Sequence, residues 1–147
     1  MRSLLLVACL VSLSGCYDPG AQDVGQAKLP ASSSGRIEPD ARCLGGQLFF
    51  ELDRARGDEL AATVFYESDA FEGERYRATY RVEGVQRESG VVLDEVEMVE
   101  SDALPPDRMW CTGSYSLKLD AQGVLSGSYQ SDDCGCSGAT TLSEAGF

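Results

Sequence analysis

Apolar and polar residues alternate with a period of two along most of the chain beyond Cys43. In the clearest run, residues 75–82, tyrosine, alanine and valine occupy one set of alternate positions and mainly arginine occupies the other. This alternation, in runs rich in β-branched and aromatic residues, is typical of half-buried β-strands. No segment has a helical apolar stripe. The pattern predicts seven short strands, around residues 48–52, 60–66, 75–82, 91–99, 110–119, 124–131 and 139–142.

The fourth of these runs changes phase. Val91 and Leu93 share one parity, whereas Val96 and Met98 take the other. A β-bulge inserts one extra residue and moves the following side chains to the opposite face of the sheet. We therefore expect a bulge near residues 94–95.

The sequence Gly-Ser-Tyr occurs twice, at residues 113–115 and 127–129. Between the copies, residues 120–123 (DAQG) fit a type I turn whose glycine forms a G1 bulge. In that register Leu119 faces Leu125, Leu117 faces Gly127 and Tyr115 faces Tyr129. The repeat is then a cross-strand pairing of aromatic residues.

Seven short strands with turn signals between them predict an all-β antiparallel meander, which we interpret as a small up-and-down barrel. A β-sandwich is the alternative. The predicted shape resembles the calycin group of barrels, the lipocalins and avidins. The glycine-x-tryptophan signature near the first lipocalin strand is absent, because residues 43–46 (CLGG) stand there. The resemblance is one of architecture and implies no ligand or site.

The N-terminus has the features of an export signal. Arg2 precedes an apolar run at residues 4–13, which is too short for a membrane-spanning helix of roughly 20 residues. Residues 13–16 (LSGC) resemble the lipobox of bacterial lipoprotein precursors, which implies that Cys16 becomes a lipidated mature N-terminus. The alternative is an ordinary signal peptide that happens to contain this cysteine.

The residue after Cys16 is Tyr17, and not the aspartate that resembles an inner-membrane retention signal in enteric bacteria. The predicted location is therefore the bacterial cell envelope, anchored by lipid and with the outer membrane favoured, on its periplasmic or surface side. The domain prediction is a signal peptide at residues 1–15, a lipidated N-terminus and flexible tether at 16–41, and a β domain at 42–147. Prolines, serines and glycines without apolar periodicity indicate the tether.

Charge and composition exclude several functions. The chain has a net charge of −12 and no histidine. Removal of residues 1–15 takes away Arg2 and no acid, which leaves 11 basic and 24 acidic residues and a net charge of −13. Such a chain repels nucleic acid. The absence of histidine excludes Ser-His-Asp and Cys-His nucleophiles and histidine-ligated zinc.

Four cysteines remain when Cys9 leaves with the signal and Cys16 takes the lipid. An even number in an exported chain predicts two disulfides. The hairpin register brings Cys111 close to Cys134, so we expect that bridge, together with Cys43 to Cys136. A four-cysteine zinc site is the alternative, but it needs reduced thiols. We expect no metal and no cofactor.

Asp94, Glu95, Glu97 and Glu100 form the densest acidic run. Glu95 and Glu97 have a spacing that a carboxylate-pair hydrolase could use. We favour an exposed ladder with arginines 75, 77 and 81 on the neighbouring strand. Residues 132–133 (DD) are interpreted as a polar turn and not as a calcium site, and Trp110 as a packing residue at the rim or in the core.

Three functions fit these residues, in this order. The first is a non-catalytic envelope module that contacts a protein or the cell wall and has a filled interior. The second is a carrier of a small apolar ligand, with a cavity of several hundred Å3 lined by tyrosines and leucines. The third is a hydrolase that uses Glu95 and Glu97. No catalytic motif is present, the membrane is a partner through the lipid, and the oligomeric state stays open.

Overall fold

The computed structural model describes residues 28–40 and 43–145, which form eight antiparallel strands in one closed barrel. Each strand pairs with its neighbours in sequence, and the last pairs with the first. The strands are β1 (Ser32–Pro39), β2 (Gly46–Arg56), β3 (Glu59–Ser68), β4 (Arg77–Arg87), β5 (Gly90–Ser101), β6 (Ser114–Leu119), β7 (Leu125–Ser131) and β8 (Cys136–Glu144). The predicted all-β meander and up-and-down barrel are confirmed, and the architecture is consistent with that of calycins.

The eighth strand is β1, which the sequence interpretation assigned to the tether. That assignment is wrong for Ser32–Pro39, because this segment pairs with both β2 and β8 and closes the barrel. Its inward side carries Ser33 and Ile37, which are 3% and 5% exposed. Between them, a Cβ atom on Gly35 would collide with the backbone of Thr141. The strand therefore needs small residues where backbones approach closely, and it lacks an apolar alternation.

The core consists of alternate side chains from every strand, as the period of two requires. In β2 to β4 the inward residues are those predicted from the sequence. The buried apolar residues of these three strands are Leu48, Phe50, Leu60, Ala62, Val64, Ala78, Tyr80 and Val82. The interior of the barrel is thus packed over much of its length.

The β6–β7 hairpin has the predicted register. Gly123 adopts a positive φ of 82°, and Asp120 accepts hydrogen bonds from its own turn. Tyr115 lies opposite Tyr129, with ring centroids 4.9 Å apart. The repeated Gly-Ser-Tyr therefore pairs two tyrosines inside the barrel.

The two ends of the barrel differ. Short turns at residues 57–58, 88–89 and 120–124 close one end. The link between β1 and β2 and the connections 69–76, 102–113 and 132–135 lie at the other, which we call the loop end. Successive strands of a meander run in opposite directions, so every second connection lies at the same end of the barrel.

Both predicted disulfides are present, and both lie at the loop end. Cys43 is bonded to Cys136 and Cys111 to Cys134, each with Cα atoms 5.9 Å apart. The four-cysteine zinc alternative is therefore wrong, because these sulfur atoms bond to one another. Two disulfides are typical of an oxidising, extracytoplasmic compartment.

Cys16 and the predicted signal peptide lie outside the described residues. Within residues 28–40 and 43–145, no helix is long and apolar enough to cross a membrane.

Candidate ligand-binding cavity

A cavity of about 360 Å3 opens at the loop end of the barrel. Its walls are inward side chains near the ends of the strands, and its mouth is formed by the loops and the disulfides. The residues that line it include Ile37, Leu44, Tyr66, Tyr80, Glu95, Leu104, Arg108, Trp110, Tyr115 and Tyr129. We call this space the loop-end cavity.

Tyrosines line the cavity because the inward positions change from aliphatic to aromatic residues toward the loop end. In β3, for example, fully buried Val64 is followed on the same face by Tyr66. The hydroxyl of Tyr66 donates to the carbonyl of Leu44 at 2.8 Å, and that of Tyr80 donates to the carbonyl of Cys111 at 3.2 Å. These bonds join two of the loops at the mouth to the barrel wall.

Trp110 forms part of the mouth. Its indole Nε1 donates to the carbonyl of Asp102 at 2.7 Å, and its ring meets that of Tyr66 edge-on, with centroids 6.1 Å apart. It also precedes Cys111, whose disulfide belongs to the same rim. The position agrees with the expected rim packing and gives the cavity the only tryptophan of the chain.

Glu95 extends from β5 into the base of the cavity. Its Oε1 accepts a hydrogen bond from the Tyr115 hydroxyl at 2.6 Å. Its Oε2 accepts one from the backbone N–H of Gly113 at 2.8 Å and a longer one from the Tyr129 hydroxyl at 3.4 Å. The salt bridges among the described residues use other acids, so this carboxyl has no basic partner there.

Burial raises the pKa of Glu95 to about 7, although its three hydrogen bonds act in the opposite direction. Desolvation disfavours the charged form, and here it outweighs the donors. Burial, and after it the negative charge of Glu95, raise the pKa values of Tyr115 and Tyr129 well above the ordinary range. The tyrosines are therefore neutral hydrogen-bond donors at any physiological pH, whereas Glu95 titrates near neutrality.

The bulge predicted near residues 94–95 is misplaced, because Glu95 still faces inward. The bulges are present, but they fall at Val96 and Val99, which the register with β4 skips. Glu95 thus continues the inward parity of Val91 and Leu93. The expectation that Val96 and Met98 face the core is wrong, because they are 47% and 43% exposed.

The structure separates the two acids of the hydrolase hypothesis. Glu97 lies on the outer face, where its Oε2 is 3.2 Å from the Arg81 guanidinium. That contact confirms one rung of the predicted surface ladder. Arg75 and Arg77 instead bind Glu67 of β3, at 3.0 and 2.7 Å. Glu95 and Glu97 therefore do not share a site.

An acidic groove lies outside the barrel, and Glu95 lines this groove as well as the loop-end cavity. Asp94, Asp132 and Asp133 line it, and their carboxylates accept hydrogen bonds from Ser114, Gln130 and Thr112 respectively. These bonds tie the 132–135 turn and the start of β6 to their neighbours. The arrangement agrees with the polar turn expected for residues 132–133.

No family model, curated protein or solved structure matches the chain. A cavity lined by tyrosines was one expectation from the sequence, whereas Trp110 was interpreted as a packing residue and the place of Glu95 at the cavity base was not predicted. Glu95 follows Val91 and Leu93 at intervals of two residues, so an uninterrupted strand alternation would have placed it on their inward face.

Proposed function

We propose that this protein is a non-catalytic, membrane-anchored binding protein of the bacterial cell envelope, and that its barrel carries a small, largely apolar molecule in the loop-end cavity. The observation that carries the proposal is a space of about 360 Å3 walled largely by aromatic and aliphatic side chains, in which two tyrosine hydroxyls donate to the carboxyl of Glu95. Ligand sites are typically concave, mostly apolar and on the order of 300–1,000 Å3, with few polar groups that fix orientation.

The cavity favours a carrier over an envelope module with a filled interior. The aliphatic half of the barrel is packed, but the loop-end half leaves space enclosed by rings. Buried Tyr80 and Tyr115 have hydroxyls that already bond to the protein, so their rings present apolar faces to an occupant. The hydrolase hypothesis loses support, because its second carboxylate, Glu97, lies on the outer surface.

Dye binding tests the cavity. We expect the uncharged apolar dye N-phenyl-1-naphthylamine to bind saturably, with increased dye fluorescence. The substitution Leu104→Trp enlarges a side chain at the cavity mouth and is expected to weaken binding by about tenfold or more, which corresponds to about 1.4 kcal/mol.

Val99→Trp is the matched control, because Val99 is 60% exposed on β5 and does not line the cavity. It should bind the dye as the unaltered protein does, with circular dichroism confirming that both variants are folded. Equal affinities in the two variants, or no saturable binding to the unaltered protein, would contradict the carrier proposal.

The lipid anchor is the second part of the proposal. It is supported by the lipobox-like residues 13–16 and by disulfides suited to an exported domain. Expressed in a bacterium supplied with an alkyne analogue of palmitate, the protein should incorporate the label, and Cys16→Ser should lose it completely. Cys9→Ser, which changes a cysteine within the signal, should be labelled normally. Mass spectrometry that finds an unmodified Cys16 would refute the anchor.

A further inference from the structure

The carboxyl group of Glu95 is a largely buried acid without a counter-ion. Buried charges in proteins are normally paired with an opposite charge or a metal ion, because desolvating an isolated charge is costly. Its three donors here are two tyrosine hydroxyls and one backbone N–H, all neutral. A carboxylate offers about four lone-pair sites, so these donors leave about one site unused on a carboxyl group that lines the loop-end cavity.

Among the described residues, no basic side chain forms a salt bridge with Glu95. The tyrosines that face it come from β4, β6 and β7, and charged residues lie at the mouth and in the outer groove. The tyrosines are Tyr80, Tyr115 and Tyr129. The charged residues at the mouth are Asp107, Arg108 and Asp133, and those in the groove are Asp94, Asp132 and Asp133, so Asp133 borders both spaces. The one base among them, Arg108, lies with its guanidinium carbon 4.4 Å from the centre of the Phe71 ring. It makes no salt bridge with Glu95.

We propose that the ligand of the loop-end cavity is an organic cation, with an ammonium group that pairs with Glu95 and an apolar body packed among the aromatic rings. This inference rests on the proposed carrier function and names its ligand class. Tyrosine and tryptophan rings attract cations through their negative faces, so Tyr66, Tyr80, Tyr129 and Trp110 suit both parts of such a ligand. The net charge of −12 draws cations toward the protein and repels anions.

Binding of a cation is coupled to release of a proton. Near neutral pH the empty site holds a proton on Glu95 about half of the time, since its pKa is about 7. An ammonium ion that enters pairs with the carboxylate, and the carboxyl proton leaves to the solvent, so that total charge is conserved. The ligand keeps its own proton, because alkylamines titrate near pH 10 as lysine does. Affinity is therefore expected to rise by about tenfold between pH 6 and pH 8.

A matched pair of probes tests the charge requirement. In isothermal titration calorimetry at pH 8, 4-phenylbutylamine should bind at least about tenfold more tightly than 4-phenylbutan-1-ol, which has the same body and a neutral end. Glu95→Gln should reduce that preference to about twofold or less. Glu97→Gln removes the same charge from the outer face and should retain the preference. The amine, but not the alcohol, should gain affinity between pH 6 and pH 8.

Equal affinities for the amine and the alcohol, or a preference that survives Glu95→Gln, would overturn the cation assignment. Failure of both phenyl compounds to bind would also overturn it. In each case the titration with the uncharged dye still tests the proposed carrier function, because binding of the dye does not require a positive charge. Binding of the dye without preference for the amine would leave a carrier of neutral molecules.

Discussion

Loss of the Cys43–Cys136 disulfide is expected to lower the free energy of unfolding by about 4–5 kcal/mol, more than any other single change considered for this barrel. The bond joins residues that are 93 positions apart, so it closes most of the domain into one loop. A crosslink stabilises mainly by restricting the unfolded chain, and the effect grows with the logarithm of loop length. The double variant Cys43→Ser/Cys136→Ser, unfolded in urea beside the unaltered protein, measures this loss.

The second disulfide provides an internal comparison. Cys111 and Cys134 are only 23 positions apart, and the same relation gives about 3.4 kcal/mol for their bond. Cys111→Ser/Cys134→Ser also replaces two cysteines at the loop end, so the difference between the double variants reports loop length. A larger loss from the shorter loop would show that native-state contacts, and not chain entropy, dominate the effect.

Much of the fold could be predicted from the sequence because strand patterns and turn chemistry are local. The alternation in β3 and β4 identifies the inward residues directly, since the side-chain period of a strand is two. The turn at residues 120–123 fixes the register of one hairpin, which places Tyr115 opposite Tyr129. The same register brings Cys111 close to Cys134, so the disulfide pairing followed from the strands.

The first strand could not be recognised because small residues, and not apolar ones, occupy most of its inward positions. Ser33 and Gly35 face the interior where β8 approaches, and only Ile37 gives an apolar signal. Serine and glycine in a segment with prolines are also typical of linkers. The distinction depends on pairing with β8, more than 90 residues away in sequence, which no local pattern contains.

The base of the cavity was missed for a related reason. Glu95 stands among acids, and a run of acids normally predicts a solvated surface. The positions of the bulges decide which acid faces inward, and they are set by pairing with β4, which skips Val96 and Val99. If a bulge is predicted one or two residues too early, the residues that follow the predicted position are assigned to the wrong face of the sheet. The sequence indicated a bulge but could not locate it to the residue.

We expect the protein without ligand to become less stable as the pH rises through neutrality, because Glu95 titrates there. In the unfolded chain its carboxyl ionises near the ordinary pKa of 4.5, whereas burial raises the native pKa to about 7. Between these values the native state binds more protons than the unfolded state, so stability falls as pH increases. The contribution is fully present below about pH 4.5 and is lost above about pH 7. At about 1.4 kcal/mol per pH unit, the total loss is on the order of 3 kcal/mol.

Urea unfolding between pH 5 and pH 8 measures this slope and assigns it to one residue. Glu95→Gln carries an uncharged group of the same shape and should flatten the profile, so that the variant exceeds the unaltered protein at pH 8 by up to about 3 kcal/mol. Glu97→Gln, exposed and paired with Arg81, should keep the original slope. Glu67 does not confuse the result, because hydrogen bonds from Arg77 and Arg75 lower its pKa and its contribution is lost only in more acidic solution. An unchanged slope in Glu95→Gln would mean that the carboxyl is not desolvated at the cavity base.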